Sequence, residues 1–207
     1  MSSIQLRTYA FIDSMQPQSA AHVAATTPGD PALAGMSQLF IEVAPGNANF
    51  QVADIALKAA DVRPGMQIVE REYGLLEVHS RTQEEVLAAR AAVLDFLGLT
   101  IADRIRPVVT STQIITNVTA YQAQLINKWR KGNLLLPRQS LFVLEASPAA
   151  YVSLAANEAE KAANISIVEV RAVGRFGRVF IGGTESEVLA AKEAAEACLE
   201  GIEGRAQ

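Results

Sequence analysis

The sequence predicts an α+β protein in which one fold is built twice, and three observations carry that reading. The chain repeats itself at a spacing of about 102 residues. Each repeat alternates short β-branched or aromatic runs with longer runs of helical period. The 207 residues, 50% hydrophobic and 19% charged, supply enough apolar material for two cores of about 100 residues each.

The repeat is clearest near the end of each half. Thr82-Gln83-Glu84-Glu85-Val86-Leu87-Ala88-Ala89-Arg90 returns as Thr184-Glu185-Ser186-Glu187-Val188-Leu189-Ala190-Ala191-Lys192. Leu39-Phe40-Ile41 is matched with Leu141-Phe142-Val143, and Ala56 to Asp61 with Ala159 to Asn164. The order of the matches is the same in both halves, which predicts two tandem domains, 4–102 and 103–205, with little or no linker. Two copies are too few for a solenoid.

Each copy is then justified element by element. Leu6 to Asp13 and Arg104 to Thr112 read as first strands, and Gln38 to Ala44 and Ser140 to Ala146 as second strands. Helices follow over Asn47 to Ala60 and Ala149 to Ala163, with Phe50, Ala53 and Leu57 expected on one buried face. Met66 to Glu72 and Leu75 to Ser80 read as a hairpin around Tyr73-Gly74, and Ile165 to Val173 and Arg178 to Gly182 as its repeat around Phe176-Gly177. Thr82 with Glu85, and Thr184 with Glu187, have the spacing of capping boxes, in which the hydroxyl takes a backbone N–H and the carboxylate reaches back to the cap. Val86, Ala89, Val93 and Leu97 then supply a buried stripe.

The order is strand, variable segment, strand, helix, strand, strand, helix, with antiparallel-rich sheets and helices on one face. It is close to a ferredoxin-like βαββαβ unit with its last strand moved to the front, since Gly201 to Gln207 offer no closing strand. The variable segments differ: Gln16 to Gly35 is rich in Pro, Ala and Thr, whereas Asn117 to Pro137 holds a helix-like run over Tyr121 to Lys131. Net charge is −6 through residue 103 and +2 thereafter, so the two surfaces have diverged.

A net charge of −4 argues against a dedicated nucleic-acid binder, which needs a basic surface. No run of about 18 apolar residues is free of charges and turn residues, so no membrane span is expected. The start, Met1 to Arg7, lacks the basic and apolar regions of a secretory signal. A single cysteine, Cys198, removes any disulfide framework or multi-cysteine zinc site and fits a reducing cytoplasm. His22 and His79 stand alone, without metal-ligand spacing or a visible triad, so no metal or cofactor is expected.

Ala56-Leu57-Lys58-Ala59-Ala60-Asp61-Val62, a strand, a small-residue loop ending in Gly74, and Thr82 followed by Glu85-Val86-Leu87-Ala88-Ala89 together resemble the signature of bacterial microcompartment shell domains. The second half repeats it with Lys161-Ala162-Ala163-Asn164, Val173-Gly174-Arg175-Phe176-Gly177 and Gly182 to Val188. Two permuted copies in one chain are similar to the tandem-domain trimers that mimic a hexagonal tile, and Ile68 to Gly74 looks like the gated-pore subgroup of carboxysome shells. The resemblance implies a structural protein, not an enzyme, in a shell in the cytoplasm. Its implied partners are two more copies of itself, a second stacked trimer, other shell proteins (hexamers and pentamers) and the small metabolites that cross its pore. Single-domain members carry a Lys-Ile-Gly-Ser-Gly type loop; here the corresponding positions differ between copies, so the two rims cannot be equivalent.

The resemblance implies pore or gate residues Glu70, Arg71, Glu72, Tyr73 and Gly74, with Val173, Gly174, Arg175, Phe176 and Gly177 as the second-copy loop placed away from the threefold axis. It implies Lys58 and Lys161 as tile-edge residues, where an aliphatic stem packs along a neighbour; without it, both read as solvated lysines at a helix C-terminus. Glu70 and Arg71 alone read as an exposed ion pair. The plainer readings are preferred elsewhere: His79 as a partly buried strand residue, Cys198 as core, Gly182-Gly183-Thr184 as a capped turn, and Lys128 to Lys131 as a helix end or protein contact. The competing functions are a ferredoxin-like regulatory module binding a small ligand at subunit interfaces, and an enzyme using Glu70, Glu72 or Glu77 as acid or base.

Overall fold

The computed structural model describes residues 4–207; the first three residues of the N-terminal stretch expected not to be a signal lie outside the described residues. The first copy runs β1 (Gln5–Ile12), α1 (Pro17–Thr26), β2 (Ser37–Ala44), α2 (Ala48–Ala59), β3 (Arg63–Glu70), β4 (Tyr73–Ser80) and α3 (Gln83–Leu97). The second runs β5 (Val108–Ile115), α4 (Ala120–Asn127), β6 (Ser140–Ser147), α5 (Tyr151–Ala162), β7 (Ser166–Arg171), β8 (Gly177–Gly183) and α6 (Glu185–Glu200). The strands form two four-stranded antiparallel sheets in the orders β1-β2-β4-β3 and β5-β6-β8-β7. The α+β architecture expected from the sequence holds.

Strand alternation sorts side chains between two faces. Leu39, Ile41, Val43, Leu76 and Val78 meet Val52, Ala53 and Ala56 of α2 and Val86, Ala89 and Val93 of α3 in one core. Phe142, Leu144, Val179 and Ile181 meet α5 and α6 in the second, which extends across the copies to Phe40, Met66 and Leu75 on the far side of the first sheet. On the far side of the second sheet, Leu141 and Val168 pack against Ala123 and Ile126 of α4, with Trp129 and Phe180 at the margin.

Several sequence expectations are corrected. Phe11 pairs with Leu39, and Ile114 with Phe142, so the counterpart of Leu39 is Phe142 and not Leu141. A slip of one residue exchanges the faces of a strand, and Leu39 and Leu141 indeed belong to different cores. The spacing is 103 residues from β1 to β4 and 102 only in the last helix, because Arg81 is an extra residue between β4 and α3. In α2, Phe50 is 58% and Leu57 42% exposed; the buried stripe is Val52, Ala53 and Ala56. The first hairpin turns at Arg71-Glu72, with Glu70 opposite Tyr73, so Tyr73-Gly74 already lie in β4. The second turns over residues 172–176, ahead of Gly177.

Thr184 and Glu187 form the expected capping box, whereas Thr82 makes no side-chain cap bond. The Glu85 carboxylate accepts from the Asp61 N–H at 2.7 Å instead. The first variable segment, read as an irregular Pro/Ala/Thr stretch, contains α1, begun by Pro17 at its first turn. It is the counterpart of α4: Met15 N–H donates to Met36 O and Gly29 N–H to Gly65 O, as Val118 does to Gln139 and Gly132 to Val168. The fifth strand starts at Val108 rather than at Arg104, because residues 104–106 form a strap in which Ile105 makes one parallel bridge with Arg205.

Candidate functional site

The residues expected at the pore form a tight two-residue turn. Arg71 has φ +56, a left-handed backbone that non-glycine residues adopt at a cost, and its side chain is 90% exposed. Its Nε lies 3.7 Å from Glu70 Oε1, an open ion pair in solvent. Tyr73, two residues beyond Arg71, is held: the Arg7 guanidinium sits 3.5 Å over its ring. Arg7 in turn reaches the buried Glu42, Nε to Oε2, at 3.2 Å, and the Thr8 hydroxyl donates to the same oxygen at 3.3 Å. Burial pushes the Glu42 carboxyl up to about 7, against the opposing pull of Arg7 and Thr8. The turn therefore has a solvent-exposed tip, Glu70 to Glu72, on a packed root.

Gly74 belongs to the root. It is in register between Val43 and Val69, and a Cβ there would lie 2.4 Å from Gly46 O and 2.5 Å from Asn49 Cβ. Close approach of α2 requires glycine here, so Gly74 is not a hinge. Gly177 is its counterpart, facing Ala149 O in the same way. In the second-copy loop the left-handed residue is Gly174, φ +101, and Arg175 lies 5.4 Å from the Phe176 ring.

Glu72 and Tyr73 of the first loop, Arg175 and Phe176 of the second, and Arg7, Ser147 and Gln207 line one cavity of about 440 Å³. The two loops are thus neighbours within one chain, which corrects the expectation that the second lies elsewhere.

The two lysines occupy equivalent positions in unlike settings. Lys58 is exposed and, among the described residues, pairs only with Asp54, one turn back, at 2.8 Å. Lys161 is one-third exposed and bridges Glu158 at 2.8 Å and Asp13 of the first copy at 3.5 Å. Burial lowers its pKa, but the two carboxylates outweigh that and hold it above the usual lysine range.

The remaining candidates resolve simply. His79 is fully buried rather than partly, with Nδ1 2.9 Å from Glu77 Oε1. Burial alone would lower its pKa; Glu77 and Asp30 carry the net shift upward. Glu77, offered as an acid or base, is sealed in the sheet and accepts from Gln38, while Glu70 and Glu72 stand at the hairpin tip. Burial raises the Cys198 thiol to about 11, which keeps it protonated. Trp129 meets Phe180 edge-on and carries Arg171 over its face, so it is a packing residue. Among the described residues no cluster of His, Cys, Asp and Glu has the geometry to hold a metal, and no helix is long and apolar enough to cross a membrane.

Sequence reasoning missed the contact between the two copies. Helix α5 lies against β1 and α1. Gln16 N–H donates to Asn157 Oδ1 at 2.8 Å, and the N–H groups of Gln18 and Ser19 donate to the two oxygens of Glu160. The counterpart of α5 is α2, and there Phe50 and Leu57 stand exposed in place of Ser153 and Glu160. The counterparts of α1 and β1 are α4 and β5, where Tyr121 is 82%, Leu125 61% and Val108 42% exposed. Each half of the internal junction therefore has a second, uncovered version on the other copy.

The family described as CsoS1D N-terminal domain matches residues 6–103. Carboxysome shell protein CcmP of Synechococcus elongatus is 50% identical over 202 residues, covering 98% of this chain and 95% of that protein. Carboxysome shell protein CsoS1D of Hydrogenovibrio crunogenus is 49% identical over 197 residues, 95% and 96% of the two chains. Among solved structures, the double ringed trimeric shell protein MSM0271 from the RMM microcompartment superposes with a TM-score of 0.95 at 39% identity, covering 99% of this chain and 100% of that one. The fused permuted hexameric shell protein MSM0275 from the same microcompartment gives 0.94 at 42%, covering 97% and 99%.

Proposed function

Because the chain belongs to the carboxysome shell-protein family of CcmP and CsoS1D, we propose that it is a structural tile of a microcompartment shell in the cytoplasm. Three chains close into a pseudohexagonal ring around a pore, each contributing the domains 4–102 and 103–205. The observation that carries this reading is the duplicated junction. A surface that packs within the chain is repeated on the chain as two uncovered halves, and a head-to-tail contact of that kind builds a ring when its rotation closes. Phe50 and Leu57 of one chain then face Tyr121 and Leu125 of the next, an apolar patch that a monomer has no reason to expose.

In such a ring the hairpin tips of both copies alternate around the axis. Glu70 and Arg71 set the rim's charge on one copy, and Arg175 sets it on the other, beside the apolar ring of Phe176. An exposed Glu–Arg pair contributes about 0–1 kcal/mol, so three of them separate an open from a closed rim by a few kcal/mol at most, and both states are populated. Arg71 favours anionic metabolites when the pore is open. The tile needs no catalytic residue, and neighbouring tiles meet through Lys58 and Lys161. The proposed assembly also stacks two such trimers face to face.

Native mass measurement tests the ring. The wild type is expected at three times the 22.1 kDa chain mass. Phe50→Asp, which charges the uncovered face, is expected at the mass of one chain with its secondary structure kept. A folded, monomeric wild type at micromolar concentration would overturn the reading.

A further inference from the structure

The junction between the two copies forms a second cavity, of about 390 Å³, which shares only Val173 with the two loops. Its walls include Val23, Phe40, Met66, Ala156 and Val170, and among its polar lining residues the argument turns on His22, Ser153 and Glu169. All three residues are more than nine-tenths buried. We propose that this cavity is a binding site for a small uncharged molecule with an apolar body and one hydroxyl group.

The hydrogen bonds fix what the polar groups can offer. The Val170 amide can only donate, and it reaches His22 Nε2 at 3.0 Å, so Nε2 carries the lone pair and the proton is on Nδ1. A deprotonated Nε2 cannot donate to Glu169 Oε1, 3.5 Å away. Glu169 Oε2 is used, accepting the Lys131 N–H at 2.7 Å. Among the described residues, Glu169 Oε1, His22 Nδ1–H and the Ser153 hydroxyl make no hydrogen bond, leaving an acceptor, a donor and a group that can be either. A hydroxyl satisfies such a set because it donates once and accepts as well. The buried carboxylate disfavours an anion, and Lys131 in the wall disfavours an ammonium. The volume suits a small ligand, lying toward the low end of the roughly 300–1,000 Å³ typical of such sites.

The internal repeat argues that the space is specified by the sequence. At a spacing of 103 residues, Ser153 corresponds to Phe50, His22 to Leu125 and Thr26 to Trp129. The copy-equivalent positions carry large apolar groups, and at the internal junction all three are replaced by smaller or polar ones that line the cavity. An unfilled cavity of this size destabilises a core, and apolar filling was available to the same fold.

The test uses the assembled full-length protein and fluorine NMR of 4-fluorobenzyl alcohol, with 4-fluorobenzoate and fluorobenzene as comparison probes. The alcohol is expected to bind at sub-millimolar to millimolar concentration, at least tenfold more tightly than either comparison probe. Ser153→Phe, which installs the residue of the other copy, is expected to abolish its line broadening. His22→Leu is the second variant should Ser153→Phe fail to fold, and a wild-type crystal soaked with the alcohol needs no variant, the hydroxyl being expected beside Glu169 Oε1. No broadening with the wild type, equal affinity for the benzoate, retained binding in a folded Ser153→Phe, or density elsewhere than this cavity would each overturn the proposal. None of these readouts depends on the pore, so the site and the shell role fail separately.

Discussion

The Arg7 guanidinium carbon lies 3.5 Å over the centre of the Tyr73 ring. The same side chain answers the buried carboxylate of Glu42, so one residue ties the root of the β3–β4 hairpin to the first strand and partners an acid inside the sheet. Removing Arg7 leaves a buried carboxyl that takes up a proton, since burial already pushes Glu42 up to about 7 beside Arg7. Arg7→Met is expected to cost roughly 1–3 kcal/mol, the range for a buried polar group that loses its partner. Arg71→Ala, at the solvated tip, is expected to change stability by less than about 0.5 kcal/mol. Urea unfolding of the two variants beside the wild type checks the contrast; equal losses would mean that tip and root are not separate.

Glu42 also predicts a pH dependence. Its folded pKa, about 7, lies above the ordinary value of 4.5, so between those values the folded chain binds a proton that the unfolded chain has released. Stability therefore falls as pH rises from about 4.5 to about 7 and is level above that as far as this group is concerned, a loss of roughly 3 kcal/mol. His79, whose pKa is also raised, adds a loss as pH rises through its folded value. Glu42→Gln is expected to flatten the slope in this window while leaving the histidine's part. A wild type more stable at pH 7.5 than at pH 5 would contradict the assignment.

The two helix caps separate what the sequence motif alone made equal. Thr184→Ala removes an observed cap and is expected to cost about 1 kcal/mol. Thr82→Ala removes no side-chain cap bond and is expected to cost a few tenths at most. Thermal unfolding of the two single variants checks this, and equal shifts would show that the first helix is capped in solution.

The proposed edge role of Lys58 and Lys161 is tested by assembly. Lys58→Glu with Lys161→Glu is expected to leave a folded trimer that no longer forms sheets, because a misplaced charge at a repeated contact is multiplied over the lattice. Lys161→Glu alone places a third carboxylate beside Glu158 and Asp13, and is expected to cost about 1 kcal/mol or less after solvent screening. Electron microscopy of concentrated protein reads the first effect; undiminished sheets in the double variant would remove both residues from the edge.

The fold was legible because its signals are local and doubled. The apolar run Leu39 to Val43, the stripe Val86, Ala89 and Val93, and the Thr184 box all act within one element, and each half of the chain vouched for the other. What was not legible depends on contacts between elements. Phe50 looked like core because it is apolar, yet its face of α2 is left uncovered, and its placement follows only from comparing α2 with α5. Leu39 and Leu141 match by identity but not by register, since strand pairing, not residue type, decides the face. Gly74 was expected at the end of a small-residue loop, whereas it lies in β4, where the backbone of Gly46 leaves no room for a Cβ. His22 and Glu169 are far apart in sequence and come together only when α1 crosses to β7.

The most direct test is a cryo-electron microscopy structure of the assembled protein. Three chains are expected around one axis, with the Arg71 and Arg175 loops alternating at the central opening and Phe50 of each chain covered by Tyr121 and Leu125 of the next. Chains associated through other faces, with Phe50 exposed and Glu70 and Arg71 on the outer rim, would contradict the account.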